Sequence, residues 1–313
     1  MTASFRALIK SAGLALALLL GSFSGLAFAQ TDKQADKQER FATAEAAADT
    51  LTEAIRKNDD KRVSAILGTG WRDLIPGNTA HEDDVRARFL AAWDENHKIV
   101  PQGDDKALIE AGKTGWSMPI PLVKDASGWR FDVVAGQAEI EAREIGRDEI
   151  TVIQTLLAIV DAQHDYANLD PMKVGVATYA RRLLSSPGKK DGLYWEAKPG
   201  EPQSPLGALV AKAQPGDGPG QGYFGYHFRL LYGQGAAAKG GAYSYLVNNR
   251  MAGGFGVIAW PVSYGETGVM TFIVNQDGEV FERDLGPKTS ERAAAINLFD
   301  PDKDWAKADM TPP

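Results

Sequence analysis

The feature that most constrains the fold is the order of one long helical pattern and one region rich in glycine and aromatic residues. Residues 148–166 repeat apolar side chains at helical spacing, which predicts a helix with one buried face. Residues 222–286 hold 12 of the 28 aromatic residues and 13 of the 33 glycines, a pattern typical of short strands joined by tight turns. Because one helix can bury its apolar face against such a sheet, the sequence predicts an α+β fold.

The clearest strand pair is a hairpin that turns at Asp277 and Gly278. An Asp-Gly pair is typical of turns that need a positive φ, so we expect Gly278→Val to cost about 1 kcal/mol or more. We expect Leu157→Ala on the long helix to cost about 2–5 kcal/mol by leaving a core cavity. The residues predicted to be structural in this half of the chain are Leu157, Tyr166, Phe272, Asp277 and Gly278.

The other patterns divide the chain into segments. Residues 30–40 are polar and predict a flexible leader, 41–146 predict a helix-rich α+β unit, and 147–287 hold the long helix and the sheet. Prolines and glycines indicate a loop over 198–221, and residues 288–313 form a polar tail. The predicted helices are 41–56, 63–67, 82–96, 148–166 and 174–184, and the predicted strands are 107–111, 129–134, 223–231, 255–260, 269–274 and 279–284, with an edge strand at best over 117–123.

The first 29 residues have the three parts of a secretory signal peptide. A positively charged start precedes an apolar run over 12–20, and Ala27-Phe28-Ala29 places small residues where signal peptidase reads them. We therefore expect cleavage before Gln30 and a periplasmic or extracellular protein. The alternative is a retained membrane anchor, although serines and glycines dilute the apolar stretch. No later segment approaches the roughly 20 apolar residues that a spanning helix needs, so we expect no transmembrane segment in the mature chain.

The amino-acid composition excludes several classes of function. The chain has 34 basic and 41 acidic residues, and this net charge of −7 argues against a nucleic-acid-binding surface. The absence of cysteine excludes disulfides, thiol catalysis and thiolate metal sites. An apolar fraction of 44% and a charged fraction of 24% are typical of a globular protein.

No motif for catalysis, cofactor binding or metal binding emerges. The glycine-rich stretches 233–235 and 253–256 match neither a dinucleotide fingerprint nor a P-loop, and the serines at 185–186 end a predicted helix before a proline. On the long helix, Asp161 and His164 lie one turn apart, with Asp165 as an i+4 neighbour of Asp161, which is more typical of a solvated helix face than of a metal site. We expect no catalytic residue, no cofactor and no bound metal.

Three alternatives stay open at this point. A carboxylate pair could hydrolyse a glycan, but the sequence cannot show which of 41 acids face each other. Acids near Asp277 and Asp284 could supply oxygens for a stabilising calcium ion. Aromatic side chains could stack on a sugar, although in a glycine-rich sheet they are more often part of the core; the candidates are Tyr194, Trp195, Tyr245 and Trp260.

Several ordered motifs resemble a known family. They include Pro-Ile-Pro-Leu-Val at 119–123, Gly-Trp-Arg-Phe-Asp at 128–132, Ala-Ile-Val-Asp-Ala-Gln-His-Asp-Tyr at 158–166 and Tyr-Gly-Glu-Thr-Gly-Val-Met-Thr-Phe at 264–272. In order and spacing the chain resembles, over nearly all of 41–287, the bacterial exported proteins of domain of unknown function family 2950. The resemblance implies export and a shared fold, and it supplies no activity.

The C-terminal half has a second, weaker resemblance, to the soluble heads of pseudopilins. Gln163 and Tyr166 lie in the helix, and Thr271, Phe272 and the Asp277-Gly278 turn lie in the last hairpin. This resemblance implies a pilin-like long helix packed on an antiparallel sheet. Pilin assembly needs a head helix that continues into a retained apolar stalk, whereas here the apolar segment ends more than 100 residues earlier. We therefore expect no polymerisation through a stalk.

The function that these observations favour is a non-catalytic one. We expect a soluble envelope protein that binds a partner protein or ligand of unknown identity, or that has a role in assembly. The alternative is a periplasmic hydrolase of glycan or another envelope polymer that uses a carboxylate pair. Residues 41–146 also have a faint resemblance to the cone-shaped domains related to nuclear transport factor two.

Overall fold

The computed structural model describes residues 38–74, 79–210 and 221–309. The chain divides between Ile140 and Glu141 into two compact units. The predicted signal peptide and its cleavage site lie outside the described residues.

The N-terminal unit begins with helices. Helix α1 spans Ala44–Arg56, α2 spans Asp60–Leu67, a 3-10 helix spans Trp71–Leu74, and α3 spans Thr79–Glu95. Helices α1 and α2 each follow a residue whose side chain accepts a hydrogen bond from a backbone amide of the first turn. Thr43 accepts one from the amide of Ala46, and Asp59 accepts one from the amide of Arg62.

A four-stranded antiparallel sheet follows in the order β1-β2-β3-β4. The strands are β1 (His97–Pro101), β2 (Lys106–Ala111), β3 (Leu122–Asp125) and β4 (Gly128–Phe131). Strand β1 was not predicted, because its residues lack the alternation of a half-buried strand. Strand β3 begins only after Pro121, because the two prolines before it cannot donate to the ladder. Buried side chains of α1, α2 and the sheet form one core, which includes Leu51, Ile66, Ile109, Leu122 and Phe131.

The long helix, α4, spans Val133–Leu169 and has 37 residues. The prediction of 148–166 found its C-terminal half, while the predicted strand over 129–134 was wrong in its last residues. The first turns of α4 carry alanine, glutamate and glutamine, which favour helix without a clear apolar stripe. Gly136 lies against Ile120, where an added Cβ would come within 2.8 Å of its Cγ1, so close packing explains this glycine inside a helix.

The segment after α4 contains no helix over 174–184, so that prediction was wrong. The carboxylate of Asp170 accepts hydrogen bonds from the backbone amides of Val174 and Gly175, both at 2.8 Å, and holds the chain in a turn. The proline-rich stretch is largely irregular in its described part, with one turn of helix, α5 (Gly207–Val210), against the core. Residues 211–220 of the predicted loop lie outside the described residues.

The C-terminal unit is built on a five-stranded antiparallel sheet in the order β13-β12-β11-β10-β5. Its strands are β5 (Tyr226–Leu231), β10 (Gly256–Pro261), β11 (Met270–Asn275), β12 (Phe281–Asp284) and β13 (Ala306–Lys307). Between β5 and β10 lie two small hairpins, formed by β6 (Gly233–Gln234) with β7 (Tyr243–Ser244) and by β8 (Leu246–Val247) with β9 (Arg250–Met251).

Side chains alternate between two packed faces of this sheet. Val257 and Phe272 lie on the face that packs against Leu156 and Ile153 of α4. Ile258 and Ile273 point to the other face, where Phe299 and helix α6 (Thr289–Ala295) cover them. The predicted α+β fold, with the long helix packed on an antiparallel sheet, is confirmed.

Candidate functional site

A cavity of about 930 Å³ lies within the N-terminal unit. Helices α1, α2 and α3, the 3-10 helix, the end of β2 and the segment after it supply its walls. Pockets for small molecules commonly measure about 300–1,000 Å³ and are mostly apolar. Its larger apolar side chains are Ile55, Val63, Leu67, Trp71, Leu74, Val85, Phe89, Trp116, Met118, Ile120 and Ile140.

Helix α3 contributes one wall through a stripe of apolar residues. Val85, Phe89 and Ala92 lie at positions i, i+4 and i+7, and each is only half-buried. A stripe of this spacing normally packs against a core. Here Phe89 packs partly against the core of the unit, and all three residues also line the cavity, where they are available for contact with a bound molecule.

Another part of the wall belongs to the buried core of the unit. Leu67 and Trp71 are part of the buried core and also line the cavity. The indole Nε1 of Trp71 donates a hydrogen bond to the Ser64 hydroxyl at 3.0 Å, which fixes the ring and satisfies its one polar atom.

Two aromatic rings, those of Phe89 and Trp116, extend from the interior of the cavity to the solvent. The Phe89 ring lies 6.4 Å from that of Trp116 in an edge-to-face arrangement. Trp116 is 41% exposed, so it lies where the cavity meets solvent. Met118 and Ile120, which follow it in the chain, are buried deeper.

The charged side chains of the lining are paired with other protein groups. Arg72 of the 3-10 helix pairs with Asp60 of α2 and, at 2.8 Å, with Glu82 of α3. Lys113 pairs with Glu95 at 2.7 Å, and this hydrogen bond holds the pKa of Glu95 below its ordinary value. The lining therefore offers apolar contact rather than acid–base chemistry.

A second cluster, in the C-terminal unit, brings carboxyl groups together. The Oε1 atom of Glu149 accepts hydrogen bonds from the backbone amides of Val269 and Met270, both at 2.8 Å, and from the Tyr226 hydroxyl at 3.4 Å. Burial raises the pKa of Glu282 on β12 to about 7, and the negative charges of Glu149 and Asp309 add to the effect. The bonds of Glu149 fasten α4 to the start of β11.

The residues predicted to be structural all belong to the C-terminal unit. Phe272 is fully buried, and the buried Tyr166 donates a hydrogen bond to the Lys190 carbonyl at 2.7 Å, with burial raising its pKa to about 12. Gly278 has φ +74° and follows Asp277 in the turn between β11 and β12. Leu157 is only half-buried, at the edge of the core.

The other sequence candidates have packing roles. Trp195 and Tyr245 are buried, and Tyr194 and Trp260 pack half-buried against the two cores of the C-terminal unit. Asp284 accepts hydrogen bonds from the Tyr264 hydroxyl and the Gly286 amide.

Within the described ranges, no group of three or more histidine and acidic side chains could hold a metal ion. In the same part of the chain, no helix is both long and apolar enough to cross a membrane.

Sequence reasoning missed the cavity. The signal that could have found it was the apolar stripe of α3, whose helical spacing is the basis of the predicted helix over 82–96. Without the tertiary structure, that stripe could equally have packed in a core.

Comparison with known proteins gives one match. A family model described as "Protein of unknown function (DUF2950)" matches residues 38–308. This confirms the resemblance to domain of unknown function family 2950. No curated protein and no solved structure is significantly similar to the chain.

Proposed function

Because the chain belongs to the family described as "Protein of unknown function (DUF2950)", whose description assigns no activity, we propose a function from geometry: binding of an apolar ligand in the cavity of the N-terminal unit. The observation that carries this proposal is a 930 Å³ space walled by Val85, Phe89, Trp71 and their apolar neighbours. Burying a ligand's apolar surface against these side chains supplies the binding free energy.

The role that we propose is non-catalytic and belongs to the cell envelope. The signal-peptide pattern of residues 1–29 supports export, and the lining residues support retention of an apolar molecule in an aqueous compartment. Such a protein could carry the molecule or report its presence to a partner.

The proposal is tested by titration with N-phenyl-1-naphthylamine, an uncharged dye whose fluorescence rises in apolar surroundings. We expect saturable binding with one site per chain. Ala92→Trp fills the cavity from α3 and should weaken binding at least tenfold, whereas Ala87→Trp places the same side chain on the exposed side of α3 and should leave binding unchanged.

Circular dichroism and gel filtration check that both variants fold, and Val85→Phe provides a second, smaller filling. Absence of saturable binding to the parent protein would contradict the proposal. Equal weakening by the Ala87 and Ala92 variants would contradict it too.

The carboxyl cluster favours a second candidate, a hydrolase acting on an envelope polymer. A carboxyl group with a pKa near 7 beside a second carboxylate is the pattern of a general acid, and Glu282 beside Glu149 fits it in part. Hydrolysis of peptidoglycan that Glu282→Gln abolishes without unfolding the protein would favour this candidate. The three hydrogen bonds to one oxygen of Glu149 instead support a structural role.

A further inference from the structure

We propose that the ligand of the N-terminal cavity is uncharged, such as a neutral molecule with a long hydrocarbon chain. This inference rests on the proposed function and deepens it. The ion pairs of the cavity lining carry the argument.

The cations of the lining already have carboxylate partners. Arg86 pairs with Asp83 at 2.7 Å, Arg88 with Asp84 at 2.9 Å, and Lys113 with Glu95 at 2.7 Å. Most of these side chains are exposed to solvent, so each pair contributes little free energy, and an anionic head group that competes for a cation gains little over the carboxylate already bound to it.

The acids of the lining are engaged as well. Asp60 and Glu82 share Arg72, and Asp59 accepts the amide hydrogen bond that begins α2. A cationic head group would compete with these partners in the same way. Because a charge placed against an apolar wall without a partner loses its hydration, both kinds of ion bind less well than a neutral molecule of the same shape.

The size of the cavity also predicts how the affinity depends on the chain length of the ligand. The cavity measures about 930 Å³, which lies within the range of about 300–1,000 Å³ that is usual for small-molecule pockets. For hydrocarbon chains that fit within it, each added methylene should tighten binding about fourfold through burial.

The experiment displaces N-phenyl-1-naphthylamine with three amphiphiles of the same chain length at pH 8. These are dodecanol, dodecanoate and dodecylammonium, each used below its aggregation concentration. We expect dodecanol to bind at least fivefold more tightly than either ion, and octanol and decanol to bind progressively more weakly than dodecanol.

A charge variant tests the ion-pair argument directly. Lys113→Met leaves the Glu95 carboxylate of the lining without its cation, so the affinity for dodecylammonium should rise severalfold relative to the affinity for dodecanol. Lys57→Met is the control, because Lys57 pairs with Glu53 outside the lining.

The possible failures are distinguishable. If the parent protein binds neither the dye nor any alcohol, the proposed function fails. If the dye binds but dodecanoate or dodecylammonium displaces it better than dodecanol, the function stands and the inference of an uncharged ligand is overturned. A gain for dodecylammonium that is equal in the Lys57 and Lys113 variants would refute the ion-pair argument.

Discussion

The side-chain amide of Gln163 exchanges two hydrogen bonds with the backbone of Ala180. Its Nε2 donates to the Ala180 carbonyl at 3.0 Å, and its Oε1 accepts from the Ala180 amide at 2.8 Å. Both residues are fully buried. The amide of one helical residue thus satisfies a backbone segment that has no helix or sheet of its own, which would be costly to bury unpaired.

Replacing Gln163 with methionine should destabilise the protein by about 2–4 kcal/mol, because two buried backbone groups lose their partners while the volume changes little. Urea unfolding followed by circular dichroism measures the change. Gln154→Met is the matched control, since Gln154 is exposed on the same helix and should change stability by less than about 0.5 kcal/mol. Equal midpoints for the two variants would show that the Gln163 bonds contribute little.

The pKa of Glu282 predicts a pH dependence of stability. Burial raises this pKa from the ordinary value of 4.5 to about 7, so between these values the folded protein holds a proton that the unfolded chain releases. The contribution of Glu282 to the free energy of unfolding is therefore fully present below pH 4.5 and is lost as the pH rises through 7. For this half-buried side chain the loss is on the order of 1–3 kcal/mol.

Glu282→Gln removes the titration, so the variant should match the parent protein near pH 4.5 and exceed its stability at pH 8. Urea midpoints measured at intervals across this range show the divergence. Glu291→Gln, at an exposed position on α6, should follow the parent curve throughout. Parallel curves for parent and Glu282→Gln would mean that the carboxyl group has an ordinary pKa.

Two adjacent leucines on α4 should respond differently to truncation. Leu156 is fully buried between the helix and the sheet, and Leu156→Ala should cost about 2–5 kcal/mol by leaving a cavity. Leu157 is half-buried, so Leu157→Ala should cost less than the value that its helical spacing suggested. Denaturant midpoints that rank the two variants in reverse would contradict the packing of this helix.

The turn glycine provides a test of backbone strain. Gly278 has φ +74° with nothing within 4 Å of the position of an added Cβ, so any cost comes from conformation and not from a clash. Gly278→Val should lower stability by about 1 kcal/mol or more, and Gly278→Asn should cost less because asparagine tolerates this region better. Thermal melting compares the two variants, and equal melting temperatures would argue against strain.

Local chemistry explains which predictions succeeded. The turn at Asp277-Gly278 and the C-terminal half of α4 depend on neighbouring residues, so both could be predicted. The helix predicted over 174–184 failed because the carboxylate of Asp170 and the amide of Gln163 satisfy that backbone instead. These partners come from outside the segment, and its own periodicity does not record them.

The candidate site, too, was predictable only where it depends on residues that are close together in the chain. The apolar stripe of Val85 and Phe89 was visible as a helical pattern, but whether it meets a core or a space depends on α1, α2 and the segment after β2. Likewise, no pattern distinguished Glu149 and Glu282 among 41 acids, because they lie 133 residues apart in the chain.

By itself, the sequence determined the α+β class, the membership in the family and the glycine turn of the last hairpin, because periodicity, motif order and turn preference are carried by residues close together in the chain. Only the tertiary structure decided where the cavity lies, which charges are paired around it and which carboxyl group is buried. Those properties depend on contacts between distant segments, and such contacts form only when the chain has folded.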